Sequence, residues 1–433
     1  MTTEQQLPKG WKKTTLGEIC EIFDSKRVPL NREQREQRIN NKKTDELFPY
    51  YGATGEVGKI DDYIFDGEFV LLGEDAAPFF EPNKNVAYCV KGKFWVNNHA
   101  HILSSSVLEN LYICHYLNQF NFSGYVSGTT RLKLSQGSMK KIPIIYPTSK
   151  ETQQAIVNKI ESLFDEIDEG IGRLKTAAQQ IQQYRQSLLK NAFNGELTKE
   201  WRSKHADALP SENELLAQIQ TAREQHHAQQ LADWQNVTIG EVVTISPKKE
   251  TAIDDNTDVS FSSMHLMSSS ISEHLTYEIK KWADVKKGFT VFRNNDVLLA
   301  KITPCFENGK SAVAQDLING IGTGSTEFMV LRCSNQLLPK FLYFLVNTPD
   351  FRQAGIHNMT GSVGHKRVPK DFVSSWTFSL PSLTEQTQIV AILESKLTAC
   401  DQLAAELAKQ LKQAELLKQA VLKAAFSGGL LDK

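Results

Sequence analysis

The chain repeats itself at a spacing of 233 residues. LLKNAFNGEL (188–197) and VLKAAFSGGL (421–430) superimpose with Phe193 on Phe426, and the same offset sets Ile156-Val157 on Ile389-Val390. From Ala155 to Leu197, 14 of the 43 ungapped pairs are identical, where unrelated sequences of ordinary composition would share about 3. A repeat of this length means duplication of a folding unit, so the chain must build one architecture twice. Its 433 residues also exceed what a single hydrophobic core usually serves.

The repeated part has the pattern of a helix. Each copy opens after a proline, in PTSKETQQ (147–154) and in PSLTEQTQ (381–388). Ser149 and Thr384 are placed there to cap free N–H groups, and Glu151 and Glu385 to face the positive end of the helix dipole. Apolar residues follow at Ile156, Ile160, Leu163, Ile167, Ile171, Leu174, Ala178, Ile181 and Leu188, and again at Ile389, Leu393, Leu397, Cys400, Ala404, Leu407, Leu411, Ala414, Val421 and Ala425. Steps of mostly three and four make this a heptad seam. Gly195 and Gly428 supply the stops. About 40 residues of helix is roughly 60 Å at 1.5 Å per residue, more than a globular domain needs, so each helix reads as a strut. Two homologous copies in one chain favour pairing with each other over a generic oligomerisation coiled coil.

Outside the helices the sequence turns to short runs rich in Gly, β-branched and aromatic residues, the pattern of mixed α/β or mainly β modules. The first module shows strand-like EFVLLG (68–73) and VAYCV (86–90), then a helix near LYICHYLNQF (111–120). The second gives DVLLAKI (296–302), FMVLRC (328–333) and the helix LPKFLYFLVN (338–347) in the same order, and the openings TTLGEIC (14–20) and VTIGEVV (237–243) agree. Expected boundaries are 1–146 and 234–380 for the modules, 147–197 and 381–433 for the helices, and 198–233 for a polar connector with a short helix from about Glu214 to Ala232.

Composition excludes several classes. At 23% charged and 40% hydrophobic residues this is a folded globular composition. No run of 18 apolar residues occurs, and MTTEQQLPKGWKK lacks the apolar stretch of a secretory signal, so a cytoplasmic protein without membrane contact is expected. Cys20, Cys89, Cys114, Cys305, Cys333 and Cys400 form no CxxC pair and read as reduced, mostly buried thiols. The formal net charge of −1, and the 19 Lys and Arg against 17 Asp and Glu in residues 1–150, give weak attraction to phosphate, so contact with DNA must come from local basic patches or a partner.

Candidate catalytic motifs fail one by one. YGATGEVGKI has Ala53 where a phosphate loop needs its first glycine and Ile60 where it needs a hydroxyl; TPCFENGKS has Pro304 at the glycine position. No Rossmann fingerprint, zinc spacing, GxSxG elbow or amino-methyltransferase motif occurs. Of the ten histidines only His99 with His101, and His226 with His227, lie close together. No catalytic, cofactor-binding or metal-binding residue is expected.

Loops that combine hydroxyl, amide and basic groups with glycine are the better candidates, because they can approach base edges and phosphates closely. SGTTRLKLS (127–135) and TGSVGHKRVP (360–369) stand at corresponding places, with Gly128 and Gly361 again 233 residues apart. The candidate DNA-binding residues in the first module are Tyr51, Thr54, Lys59, Asn98, His99, Gly128, Thr129, Thr130, Arg131 and Lys133. In the second they are Lys301, Thr303, Asn308, Lys310, Thr326, Gly361, Ser362, His365, Lys366 and Arg367, with Glu327 beside them.

Taken together, the order module, helix, module, helix, the endings LLKNAFNGEL and VLKAAFSGGL, the openings WKKTTLGEIC and WQNVTIGEVV, and segments such as AKITPCFENGK and TEFMVLR resemble the specificity subunit of type I restriction-modification enzymes over essentially the whole chain. The resemblance implies an α+β fold with two mixed α/β target-recognition domains joined by two long antiparallel coiled-coil helices in a pseudo-two-fold internal repeat. It implies that each domain reads one half of a bipartite, asymmetric site in double-stranded DNA, and that the helices set the unread spacer. It further implies two methyltransferase subunits that methylate adenine N6 with S-adenosylmethionine, and restriction-translocase subunits using ATP and Mg. The alternative reading is a non-catalytic pseudo-symmetric scaffold that binds proteins or glycans through its β-rich modules.

Overall fold

A computed structural model of the chain describes residues 7–81, 84–205, 234–248, 253–268, 275–362 and 364–431. The connector helix expected near 214–232 lies outside these residues. The chain divides into two compact units, one formed by 1–175 with 408–433 and the other by 176–407. Both contain part of each long helix, Lys150–Phe193 and Leu383–Phe426, 44 residues apiece.

The first unit holds strands β1 (Trp11–Thr15), β2 (Glu21–Ile22), β3 (Phe48–Gly52), β4 (Gly55–Ile60), β5 (Phe65–Gly73), β6 (Ala87–Val96), β7 (Ala100–Ser104), β8 (Val126–Ser127), β9 (Lys133–Leu134) and β10 (Pro143–Pro147). Six of them form one sheet in the order β2-β7-β5-β6-β3-β4; β1 pairs with β10, and β8 with β9. The buried face of β5 carries Val70 and Leu72 onto the helix Asn110–Gln119, whose Tyr112, Ile113 and Leu117 meet Ile156, Val157 and Ile160 of the first long helix and Val421, Leu422 and Phe426 of the second.

The second unit holds β11 (Gln235–Thr238), β12 (Val243–Ile245), β13 (Asp258–Ser262), β14 (Glu278–Lys281), β15 (Thr290–Arg293), β16 (Asp296–Ala300), β17 (Ser311–Val313), β18 (Ile321–Gly324), β19 (Phe328–Cys333) and β20 (Thr377–Leu380). Two four-stranded sheets, β12-β19-β16-β17 and β14-β13-β18-β15, replace the single larger sheet, while β11 pairs with β20. The common framework is visible in the pairing: β2-β7-β5 corresponds to β12-β19-β16, and β1-β10 to β11-β20. The core of this unit joins Leu299, Leu331, Phe341 and Leu342 to Leu188, Leu189 and Ala192 of the first long helix and Ile389, Leu393 and Leu397 of the second.

Within each unit the two helices run antiparallel. In the first, Lys418 Nζ bonds the Asp168 carboxylate at 2.6 Å. In the second, Arg185 pairs with Asp401, and thirteen residues further along the first helix region Thr198 reaches back to Glu385. The seam is fully buried only where a module covers it. Leu163 and Ile171, at the margin of the first core, and Leu407 and Leu411 are half-exposed, because two helices alone cannot enclose a core. Among the described residues no helix is long and apolar enough to cross a membrane. Three thiols, Cys20, Cys114 and Cys400, are buried, Cys305 and Cys333 partly so, and Cys89 is exposed.

The helix starts correct one expectation. Ser149 does cap the first helix, accepting from Thr152 N at 3.2 Å. Thr384, however, lies inside the second helix, and Ser382 accepts from Glu385 N instead. The segment after Pro381 is one residue shorter than that after Pro147, so the 233-residue offset holds from Ser149 and Ser382 onward and sets one cap on the other. Gln153 and Gln386 are buried, and each donates its Nε2 to the proline carbonyl before its helix at 2.9 Å, fixing the angle at which strand becomes helix. Glu385 also departs from a plain dipole role: it is buried and accepts from Thr198, Arg202 and Trp234.

Candidate nucleic-acid interface

In the first unit the hairpin β8-β9 carries Gly128 to Leu132 at its tip. Gly128 has φ +97°, and a Cβ there would lie 2.3 Å from Arg131 O, so the turn closes only on glycine. The hairpin is stitched to the end of β5: Leu134 N donates to Glu74 O and Ala76 N to Leu132 O, and Asp75 bridges Lys133 in the ladder. Glu74 N in turn donates to His99 O at 2.8 Å, just before β7. Three sequence-distant segments therefore meet, bringing together His99, Arg131 and Lys133 of the expected set.

None of these three side chains is free. Arg131 pairs with Asp75 at 2.9 Å, Lys133 with Glu74 at 3.2 Å, and His99 Nδ1 donates to Asp75. Thr129, Thr130 and Asn98 are exposed around them. Tyr51 and Thr54 lie on the adjacent β3-β4 hairpin, tied in through Asn97 N to Tyr51 O at 3.0 Å. Lys59 sits apart on the edge strand β4, paired with Glu56.

Beneath the surface Asp24 accepts from His101 Nδ1 at 2.6 Å, from Ile102 N and from Gln136. Burial would raise the Asp24 carboxyl, but the hydrogen bond and charge of His101, with Ile102 N–H and Arg27, hold it below its ordinary value. Asp24, Glu74 and His101 lie close enough together to suggest a metal centre. Their donor atoms are already engaged: His101 Nε2 bonds Leu134 O, and the Arg27 guanidinium contacts both carboxylates. The cluster thus supports the hairpin from below as an ion network.

The second unit repeats the stitching. Val368 N donates to Lys301 O and Thr303 N to Lys366 O; Ile302 bridges Arg367, which also pairs across to Thr360. Gly361, at φ +122°, leaves a Cβ only 2.9 Å from His365 O. Lys301 N donates to Glu327 O. Lys301, Thr303, Thr326, Gly361, Ser362, His365, Lys366 and Arg367 thus share one edge. Asn308 lies exposed on the turn below, while Lys310 is directed away, its Nζ bonded to Met264 O at 2.8 Å.

The strongest side-chain contact of this edge is a fork. Arg367 Nε and Nη2 donate to the Glu327 carboxylate at 3.0 and 2.7 Å. The hydrogen bond from Arg367, ahead of the opposing effect of burial, holds the Glu327 carboxyl below its ordinary value. A depressed carboxylate contributes stability above its unfolded value of about 4.3 and loses it as pH falls through the lower folded value. Glu327→Gln is therefore expected to be slightly less stable than the parent chain in urea at pH 7, with the difference shrinking as the pH falls below about 4.3.

Charged partners that the sequence reading did not single out are Glu74, Asp75 and Arg27. A signal existed for Glu74: alignment of VLLGED with VLLAKI sets it opposite Lys301, an inversion of charge between otherwise similar strands.

Two homologous α+β modules on a pair of long antiparallel helices define a tandem two-module protein with a charged hairpin edge on each module. The family model for the "Type I restriction modification DNA specificity domain" matches residues 8–175 and 232–413, and the chain belongs to that family. Over 171 residues it is 42% identical to the type I restriction enzyme EcoAI specificity subunit of Escherichia coli, a match spanning 39% of this chain and 29% of that relative. Against the EcoDI specificity subunit, also of E. coli, identity is 23% across 98% of this chain and 90% of the relative. In fold it is similar to a chain from a structure on complex assembly and conformational transition of the type I R-M system (TM-score 0.65, 18% identity, 98% and 99% of the two chains). It is also similar to the HsdS subunit of Thermoanaerobacter tengcongensis (TM-score 0.53, 19% identity, the same coverage).

Proposed function

We propose that this chain is the DNA-reading subunit of a type I restriction-modification assembly and catalyses nothing itself. Each module reads one half of a bipartite, asymmetric site in double-stranded DNA, and the helices set the spacer between the halves. Two methyltransferase subunits holding S-adenosylmethionine methylate adenine N6, and restriction-translocase subunits using ATP and Mg cleave; the assembly works in the cytoplasm. The observation that carries this reading is the recurrence of a glycine-turned basic hairpin at the same strand ends in both modules of a family member. The near-neutral net charge fits it, because subunits that close around the duplex can supply phosphate contacts. The scaffold alternative has no support from the family match.

Co-expression with a methyltransferase subunit of the same operon, in a host lacking other adenine methylation, is expected to leave one bipartite N6-methyladenine motif in the genome. A genome with no such motif rejects the reading.

A further inference from the structure

The two hairpin edges are superimposable in framework but inverted in charge. Register fixes the equivalences: Gly73 pairs with Ala100 as Ala300 pairs with Phe328, so His99 corresponds to Glu327 and Glu74 to Lys301. The matching ladder bonds of Leu134 and Val368 set Lys133 opposite Arg367. In the first module the carboxylates that hold the hairpin's cations come from the end of β5, as Glu74 and Asp75; in the second the carboxylate comes from the turn before β19, as Glu327, and a lysine stands at the end of β16.

A solvent-facing arginine held on one edge by a carboxylate presents its remaining N–H groups in a fixed plane. Arg367 spends its Nε–Nη2 edge on Glu327 and one Nη1 N–H on His365 O at 3.2 Å, leaving one N–H on each of Nη1 and Nη2 to meet a ligand; its side chain is 46% exposed. Arg131 is held by Asp75 through Nη2 and is 61% exposed. Guanine offers O6 and N7 side by side in the major groove and takes a bidentate arginine better than any other base does. Lys366, exposed in the same loop, lacks the planar fork and suits phosphate.

We propose, resting on the DNA-reading function above, that Arg131 and Arg367 are the guanine-reading side chains of the two modules, and that Asp75 and Glu327 brace them. Because the braces come from different strand ends of one framework, the two arginines meet the duplex at different positions, which makes the half-sites unlike.

The test uses the methyltransferase complex containing the full chain, with methylated sites sequenced genome-wide. Arg367→Lys keeps the charge and removes the fork; it is expected to lower discrimination at one G·C pair of one half-site by about 5- to 150-fold, with the other half-site intact. Arg131→Lys does the same in the opposite half. Glu327→Gln relaxes the same base pair as Arg367→Lys, while Lys366→Ala weakens binding across sequences and lowers its salt dependence. Unchanged motifs in both arginine variants overturn the proposal, as does equal loss at both half-sites, which would mark a general structural or phosphate role. A parent complex that leaves no bipartite motif would instead defeat the DNA-reading function itself.

Discussion

Arg352→Ala is expected to destabilise the second unit by about 3–4 kcal/mol, through unpaired acceptors and the cavity left behind. The residue is 8% exposed and lies in the helix Pro349–His357. Its guanidinium donates to Phe306 O at 3.0 Å, Gly309 O at 3.2 Å, Ser311 Oγ at 3.2 Å and Asn347 Oδ1 at 2.8 Å, and its carbon centre sits 4.8 Å from the Phe306 ring centroid. Every one of these acceptors is neutral. Burial pulls the group down to about 9, still above neutral pH, so a full charge is held by carbonyl, amide and hydroxyl dipoles and the Phe306 ring face. Those bonds fold the segment 302–311 directly behind Lys301 and Thr303. Removing them strands several buried acceptors at once. Lysine keeps the charge but cannot span four acceptors with a planar fork, so Arg352→Lys should fall between. Urea denaturation should show the transition of the second unit shifted and that of the first unchanged. A shift below about 1 kcal/mol would mean the segment is held by its own packing.

Four residues added to each long helix, between 175 and 176 and between 407 and 408, should lengthen the unread spacer of the DNA site and leave both half-sites as they were. Each addition is about one turn, or roughly 6 Å, close to one to two base pairs at about 3.4 Å per step. The insertion point lies where each helix passes from one compact unit to the other, in the stretch whose seam is only half-buried, so little core is disturbed. Methylation mapping reads the result directly. An unchanged spacer with altered half-sites would remove the helices from any role in spacing.

The helices were legible because a 44-residue heptad seam repeats twice, and strands such as β16 and β19 because apolar runs ended at turn residues. The cap at Ser382 lay in the repeat itself, since the 233-residue offset sets it on Ser149; matching the two copies on Pro147 and Pro381 instead slips the register by one residue and points to Thr384. The hairpin loops could be found by residue type, but their charge state could not. Arg131 and its partner Asp75 are far apart in sequence, and they meet only because the hairpin joins the end of β5. Lys310 illustrates the converse, since a lysine in a glycine turn looks available until its bond to Met264 O is seen. Arg352 gave no signal, being one charged residue in a short helix of mixed polarity, PDFRQAGIH.

The first unit is assembled from both ends of the chain, and that arrangement imposes an order on synthesis. Tyr112 and Tyr116 meet Phe426, with ring centroids 5.1 Å apart in each case, and Val421, Leu422 and Ala425 complete the same core. A ribosome releases residues 176–407 before it reaches those side chains. The second unit can therefore close while the first still lacks a wall, with Leu16, Val70 and Ile113 waiting on more than 300 residues of further translation. Contacts of such long sequence separation fold slowly. A nonsense codon near 408 is thus expected to unmake the amino-terminal module and to spare the one encoded just upstream of it.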